Sequence, residues 1–308
     1  MSIYVFGSIA YDRIMNFEGK FADHILPDKI HMLNVCFFIE RLEEKLGGTA
    51  GNIAHSLALL GEKPTVLSTV GKDFDRYKKV MEDQNLPLEG IRVVDDLFTA
   101  NCHITTDQSD NQITGFHPGA MIHPCNYEFP NISKENDIAI ISPGNKDDMM
   151  NLPKYFRENG IRYIFDPGQQ ITIFSGEEML ECIEGAYMLV SNDYELELIK
   201  KATGLSKEQL LEKCSYVITT LAENGSRIDN GSPVEVGIAK PTKVVDPTGC
   251  GDAFRAGLIK GIIDGKSIEE SAKLGAVSAS YCVEHYGTRE HSFTQEEFDA
   301  RYAEAFSA

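Results

Sequence analysis

Between residues 137 and 221 four short apolar runs, "DIAIIS" (137–142), "RYIFD" (162–166), "YMLVS" (187–191) and "YVITTL" (216–221), alternate with segments of helical spacing near 147–159, 176–184 and 193–203. Strands joined through helices pair side by side in one direction, and their nearly continuous apolar character means that helices cover them. The pattern predicts an α/β chain with a mostly parallel sheet. The same rhythm starts earlier. "SIYVFG" (2–7) reads as a buried first strand and "PTVLSTVG" (64–71) as another. A helix over 49–61 carries Ile53, Leu57 and Leu60 on one face and stops at Gly61, and a second helix runs from Asp73 to about Gln84.

Two stretches, 13–45 and 91–118, break this rhythm. The second contains "NCHITTDQSDNQITGF", two alternating runs around a polar turn, which predicts a hairpin; another is expected at 226–237 around Asn230-Gly231. The C-terminal third is helical. Phe254, Leu258 and Ile262 recur at helical spacing, a small-residue helix follows in "EESAKLGAVSASYCVEHYG", and the last helix opens on the capping pair Thr294 and Glu297. With no repeat or linker in sight, residues 1–308 are expected to form a single domain. The irregular stretches 13–45 and 91–118 would then be a small β insertion placed to act as a lid.

Charge and cysteine usage narrow the function. The chain has 308 residues and a net charge of -18, which argues against a general nucleic-acid binder relying on Lys and Arg. Its seven cysteines, Cys36, Cys102, Cys125, Cys182, Cys214, Cys250 and Cys282, are odd in number and never spaced C-x-x-C. They read as reduced thiols, and the histidines form no paired-ligand pattern, so no structural metal is expected. "MSIYVFGSIAYDRIMNF" lacks a secretory signal and no run of eighteen apolar residues exists. A cytoplasmic protein without a membrane span is the expectation.

Chemistry concentrates in "VVDPTGCGDAFRAG" (244–257), a strand-like pair, a proline turn and three glycines in front of a helix. Amides of Gly249, Cys250 and Gly251 can form an anion nest, and a helix start carries partial positive charge. Setting the acid Asp252 beside an anion site makes sense where a phosphoryl group moves onto a hydroxyl. The amides would then balance phosphoryl charge while the acid accepts the hydroxyl proton. "GGTAGNIA" (47–54) offers close approach at Gly48 and a two-way hydrogen-bonding side chain at Asn52. Taken alone, each block also reads as ordinary structure: a turn with an Asp cap, a turn with a capping Asn, a surface acid at Asp12. The same holds for Asn192 and Glu195 of "NDYE" (192–195), an N-cap with a first-turn acid.

Together these blocks resemble the ribokinase-like (PfkB) kinases over essentially the whole chain. "DPTGCGDAF" resembles their second signature, with Cys250 where alanine is common, and implies Asp252 as catalytic base with Gly249, Cys250 and Gly251 as anion hole. "GGTAGNIA" resembles their first signature, implying that Gly48 and Asn52 hold the acceptor, and Asp12 after "GSIAY" matches a carboxylate that binds sugar hydroxyls. "NDYE" resembles the motif that orders magnesium-bound water and phosphate, which implies those roles for Asn192 and Glu195. "TTLAENGS" (219–226) resembles the nucleotide loop and implies Thr220 and Gly225, with Ala222 where glycine is usual. Asp246 and Thr248 correspond to positions that hold a monovalent cation in some relatives, which leaves K+ open here.

The resemblance implies a ribokinase-like three-layer α/β/α fold with an inserted β lid, and ATP with Mg2+ as cofactors. It leaves a homodimer open. Arg255 would assist the phosphates or be a surface cation.

For the acceptor, "FDPGQ" (165–169), "DNQITGFHPGA" (110–120) and "GDAFRAG" (251–257) resemble segments of prokaryotic adenosine and nucleoside kinases. Phe37, Phe38, Phe116 and His117 would lie in the lid, either stacking on a base or forming the lid's own core. The expected reaction is transfer from ATP to a nucleoside 5′-hydroxyl, adenosine first and inosine or guanosine next. A ribokinase- or fructokinase-type sugar kinase is the alternative. A non-catalytic nucleoside or sugar sensor would show a damaged Asp252 or nest, and both are intact.

Overall fold

The computed structural model describes residues 2–109, 111–129 and 137–306, so Asp110 of the 110–120 stretch lies outside the described residues. The first half contains β1 (Ile3–Phe6), β2 (Ala10–Phe17), α1 (Phe21–His24), β3 (Ile39–Gly47), α2 (Thr49–Leu59), β4 (Thr65–Gly71), α3 (Asp75–Asp83), β5 (Ile91–Val94), β6 (Ala100–Thr106) and β7 (Gln112–His117). Then come β8 (Ile138–Ile141), α4 (Lys146–Glu158), β9 (Arg162–Phe165), α5 (Gly176–Ile183), β10 (Met188–Asn192), α6 (Asp193–Thr203), α7 (Lys207–Leu211) and β11 (Tyr216–Thr220). The chain ends with β12 (Ser226–Asp229), β13 (Val234–Val236), α8 (Cys250–Ile263), α9 (Ile268–Cys282) and α10 (Gln295–Phe306).

Among the described residues the strands form two sheets. The larger has nine strands in the order β13-β12-β11-β10-β9-β8-β1-β4-β5. It is parallel from β5 to β11, and the hairpin β12–β13 extends it antiparallel at the far edge. Successive side chains of a strand point to opposite faces, so a strand apolar throughout feeds two cores. Ile3 and Val5 of β1, Ile164 of β9 and Met188 and Val190 of β10 pack with α2, α3, α8 and α9. Tyr4, Phe6, Tyr163, Phe165 and Leu189, alternating with them, pack with α4, α5, α6 and α7. Three layers, α/β/α, follow directly. No helix among the described residues is long and apolar enough to cross a membrane.

The second sheet has the order β3-β2-β6-β7, with β2 and β6 parallel and the outer pairs antiparallel. Its boundaries differ from the sequence expectation at two points. Residues 91–94, expected in the insertion, are the parallel edge strand β5 of the main sheet, because they complete a strand–helix–strand unit with β4 and α3. At the other end β2 begins at Ala10, so Asp12 belongs to the small sheet. Between β2 and β3 a cluster of rings forms. Phe17 and Phe37 centroids lie 4.8 Å apart and those of Phe21 and Phe37 5.0 Å apart, which gives this insertion its own core. The five-residue α7 was not anticipated, being too short to show a helical period.

Candidate active site

Ligand sites of open parallel sheets lie beyond the carboxyl ends of the strands. Asp166 follows β9, Asn192 ends β10 and Thr220 ends β11. The small sheet joins the main one at the same end: β1 leads into β2, and β3 returns through Gly48 into α2. Gly48 has φ +90°, and a side chain there would collide with the backbone of Ser8 and Ala10. Only glycine lets β3 turn so tightly into the first turn of α2, where Asn52 sits.

The two signature blocks meet through one bond. Asn52 Nδ2 donates to Asp252 Oδ2 at 2.8 Å, linking α2 to α8 across 200 positions of sequence. Asn52 Oδ1 is buried and has no partner within the described residues, so one acceptor is left over beside the acid. Asp252 is half-buried, and burial pushes its carboxyl up to about 6; Arg255 and the Asn52 bond pull it down, while Asp166 and Glu195 push it up. Burial also raises Asp12 to about 6. The buried Tyr77 hydroxyl donates to Gly47 O at 2.9 Å, and a Cβ at Gly47 would collide with Asp12 Oδ2, so Asp12 lies beside the entry into α2 that carries Asn52.

At the start of α8, Gly249 has φ +84° and a Cβ there would lie 2.9 Å from Thr288 Cα. Glycine is required there on both counts. Having no side chain, it cannot cap the fourteen-residue helix that follows. The donors differ by one residue from the expected set. Cys250 N donates to Pro247 O at 3.2 Å, whereas no backbone acceptor takes the amides of Gly249, Gly251 and Asp252 among the described residues. The Cys250 thiol meets that of Cys282, which donates to Thr248 O at 3.6 Å, and this contact raises the Cys282 thiol. Cys250 therefore contributes a turn bond and packing.

Asn192 and Glu195 form a reciprocal helix cap: Glu195 N donates to Asn192 Oδ1 at 2.7 Å and Asn192 N to Glu195 Oε2 at 2.8 Å. Glu195 is raised by burial and by Asp166. In the nucleotide-loop segment, Ala222 adopts φ +50°, the conformation that a glycine would supply, and Gly225 has φ +85°. The glycine-like loop shape is thus kept despite the substitution, at a cost of about 1–2 kcal/mol. Asp246 braces its own turn, accepting from Thr248 N at 2.9 Å and Gly287 N at 3.0 Å. Among the described residues no group of three or more His, Cys, Asp or Glu side chains could hold a metal ion.

The small sheet resolves the aromatic candidates. Directly paired residues share a face, and Asp12 pairs with Cys102, which pairs with Phe116. Ile14 and Ile104 lie two residues along on that face. Phe116 is 52 % exposed on the same side as the Asp12 carboxylate. His117, next in the strand, faces away; Phe37 is in the insertion's core and Phe38 is 80 % exposed. Cys102, Ile14 and Ile104 escaped the sequence reading, although the alternation of "AYDRIMNF" and "ANCHITT" would place them once the register is known.

Arg255 departs from one of its two sequence expectations. It is 6 % exposed and paired with Asp166, itself 2 % exposed, Nη2 donating to Oδ1 at 2.8 Å and Nε meeting Oδ2. A surface cation it is not.

Comparison with known proteins agrees with this geometry. The pfkB family carbohydrate kinase model matches residues 3–295. A nucleoside kinase of Methanocaldococcus jannaschii is 31 % identical over 284 residues, covering 91 % of this chain and 90 % of that one. The Burkholderia thailandensis nucleoside kinase solved with inosine has TM-score 0.87 and 35 % identity, covering 100 % of this chain and 99 % of its own. Solved in complex with ADP-inosine, the same protein gives TM-score 0.85 and 36 % identity over 100 % and 97 %. With a main sheet, an inserted sheet and both signature blocks meeting at Asp252, the chain belongs to the pfkB family of carbohydrate kinases.

Proposed function

We propose that this protein transfers the terminal phosphoryl group of ATP to the ribose 5′-hydroxyl of a purine nucleoside, adenosine first and inosine next, releasing ADP. The observation that carries the reading is the 2.8 Å bond from Asn52 to Asp252, with the Asp12 carboxylate against Gly47 at the entry into the same helix. The inosine and ADP-inosine complexes of the Burkholderia protein support the choice of nucleoside and nucleotide. Phe116, on the face of Asp12, supports a flat base next to the ribose.

Asp12 accepts ribose hydroxyls, and the spare Asn52 Oδ1 accepts one more. Both fix the sugar so that its 5′ oxygen reaches Asp252. Asp252, titrating near 6, is ionised at neutral pH yet basic enough to take the hydroxyl proton as the oxygen bonds to phosphorus. Free amides of Gly249, Gly251 and Asp252 balance charge on the transferring oxygens. The described residues offer no cage for a metal, which suits magnesium, an ion held largely by phosphates and water. Glu195, with one oxygen engaged in its cap, would hold a magnesium-bound water through the other, and the ion would supply further charge neutralisation. Thr220, Ala222 and Gly225 supply the turn over which the adenine nucleotide is read. The small sheet acts as a lid that excludes water, the competing acceptor. The cation reading of Asp246 and Thr248 rests on the resemblance, and comparing activity in potassium and tetramethylammonium salts decides it.

A single panel tests the function: ADP release with adenosine, inosine, guanosine, cytidine, ribose and fructose 6-phosphate. Turnover on purine nucleosides well above the sugars is expected. Preference for ribose or fructose 6-phosphate would make it a sugar kinase, and nucleoside binding without any ADP release would make it a sensor.

A further inference from the structure

Arg255 lies one turn after the acid Asp252 on α8, and its side chain folds back toward the start of that helix. A Cβ at Gly251 would lie 2.8 Å from Arg255 Nη1. The guanidinium is nine-tenths buried, and Asp166 grips it by two edges, Nε and Nη2. Nη1 has no acceptor among the described residues and sits against the same first turn whose amides at Gly249, Gly251 and Asp252 are also free. A fixed donor fork of this kind cannot be built from lysine, which has no second edge to anchor. Buried ion pairs add little net stability over apolar packing, so stability alone does not account for one placed here.

We propose that Arg255 is a further catalytic residue: its Nη1 binds the phosphoryl oxygens during transfer, and Asp166 is the positioning residue that aims it. The inference rests on the phosphotransferase reading above. In the step, the bond between the γ-phosphorus and the β–γ bridging oxygen breaks while that from the 5′ oxygen to phosphorus forms. The hydroxyl proton passes to Asp252, the electron pair of the broken bond leaves with ADP, and Arg255 keeps all its protons. Its contribution is charge and geometry alone. The bareness of Gly251 gains a reason, because a methyl group there would push Nη1 off the site while Asp166 holds the other two nitrogens.

The test compares Arg255→Gln, Arg255→Lys and the double variant Asp166→Asn/Arg255→Gln. Measured for each are turnover, nucleoside affinity, thermal midpoint and calorimetric affinities for ATP and ADP. Loss of such a donor is expected to lower kcat by about 10²–10³-fold with nucleoside affinity preserved. The affinity ratio of ATP to ADP should fall with it, since only ATP carries the γ-phosphoryl group. The double variant removes the buried charge together with its partner, so it keeps the fold; it should be as slow as Arg255→Gln, and Arg255→Lys should also be slow. Recovery of near-normal turnover in the double variant would show that the pair only neutralises itself and would overturn the proposal, as would an unchanged ATP to ADP ratio. If the unaltered protein released no ADP with any acceptor while Arg255→Gln still weakened ATP more than ADP, the kinase reading would fail and the anion contact would stand.

Discussion

Asp252 combines two demands that oppose each other. Its burial raises the carboxyl from the ordinary 3.8 to about 6, which makes it a better proton acceptor than a surface acid. That rise carries a stability cost when the group is ionised. Below pH 3.8 the acid is protonated in folded and unfolded chains alike and costs nothing. Between 3.8 and 6 the unfolded chain ionises first, so stability falls as pH rises, and above 6 the full penalty is present. Asp252→Asn should therefore lower turnover by about 10²–10⁴-fold while leaving nucleoside affinity nearly unchanged. The same variant should unfold later than the parent above pH 6, by about 1–3 kcal/mol at roughly 1.4 kcal/mol per pK unit, and the gain should vanish near pH 3.5. Denaturation series at pH 7.5 and 3.5 check this. A variant less stable than the parent at pH 7.5 would mean that the Asn52 contact outweighs the burial. Asp12, also near 6, adds a second ionisation to the acid limb of kcat/KM, which should fall below about pH 6 with a slope steeper than one proton.

At the scale of elements, strand register decides which side chains share the face of Asp12. Asp12 on β2, Cys102 on β6 and Phe116 on β7 form one row only because β2 pairs in parallel with β6 and β6 antiparallel with β7. A slip by one residue would bring His117 to the face of Asp12 and turn Phe116 to the other. If Phe116 stacks on the base, Phe116→Ala removes about 1–3 kcal/mol of stacking and raises nucleoside KM by roughly 5–160-fold. KM for ATP should not move, nor should slow phosphorylation of free ribose, which has no base to stack. Equal losses for ribose and nucleoside would assign Phe116 to lid packing instead. Helix starts show a parallel economy. The capping box of α6 uses the same Asn192 and Glu195 that the family resemblance assigns to magnesium-bound water and phosphate, so the cap sets where the free carboxylate oxygen lies.

The whole molecule places its chemistry at a seam. The chain crosses between the two sheets after β1, after β3, after β5 and after β7, and three of these crossings use glycines with positive φ, Gly7 at +158°, Gly48 at +90° and Gly119 at +50°. The acid Asp12 lies two residues past the first crossing, whereas Asn52 and Asp252 belong to helices of the main body. A nucleoside bridging these residues would draw the sheets together. Hydrogen exchange should accordingly slow on β2, β6 and β7 when the nucleoside binds, while the central strands β8 to β10 remain unchanged. Uniform protection, or none on the small sheet, would remove the lid from the mechanism.

Composition and spacing were enough to read the βα rhythm and the hairpins, because each is written in neighbouring residues, whereas the blocks around Asp252 and Asn52 were read as signatures through the family resemblance. Other features lay outside that reach. Residues 91–94 alternate like any edge strand, and only the neighbouring β4 drew them into the main sheet. Arg255 looks like a surface cation beside its helical neighbours. Asp166, which makes it a buried fork, lies 89 positions away and meets it only when β9 and α8 converge. The cleft itself was tertiary as well: a backbone dihedral or a helix period is set within a few residues, but a bond across 200 positions such as that between Asn52 and Asp252 exists only after two layers have packed against one sheet.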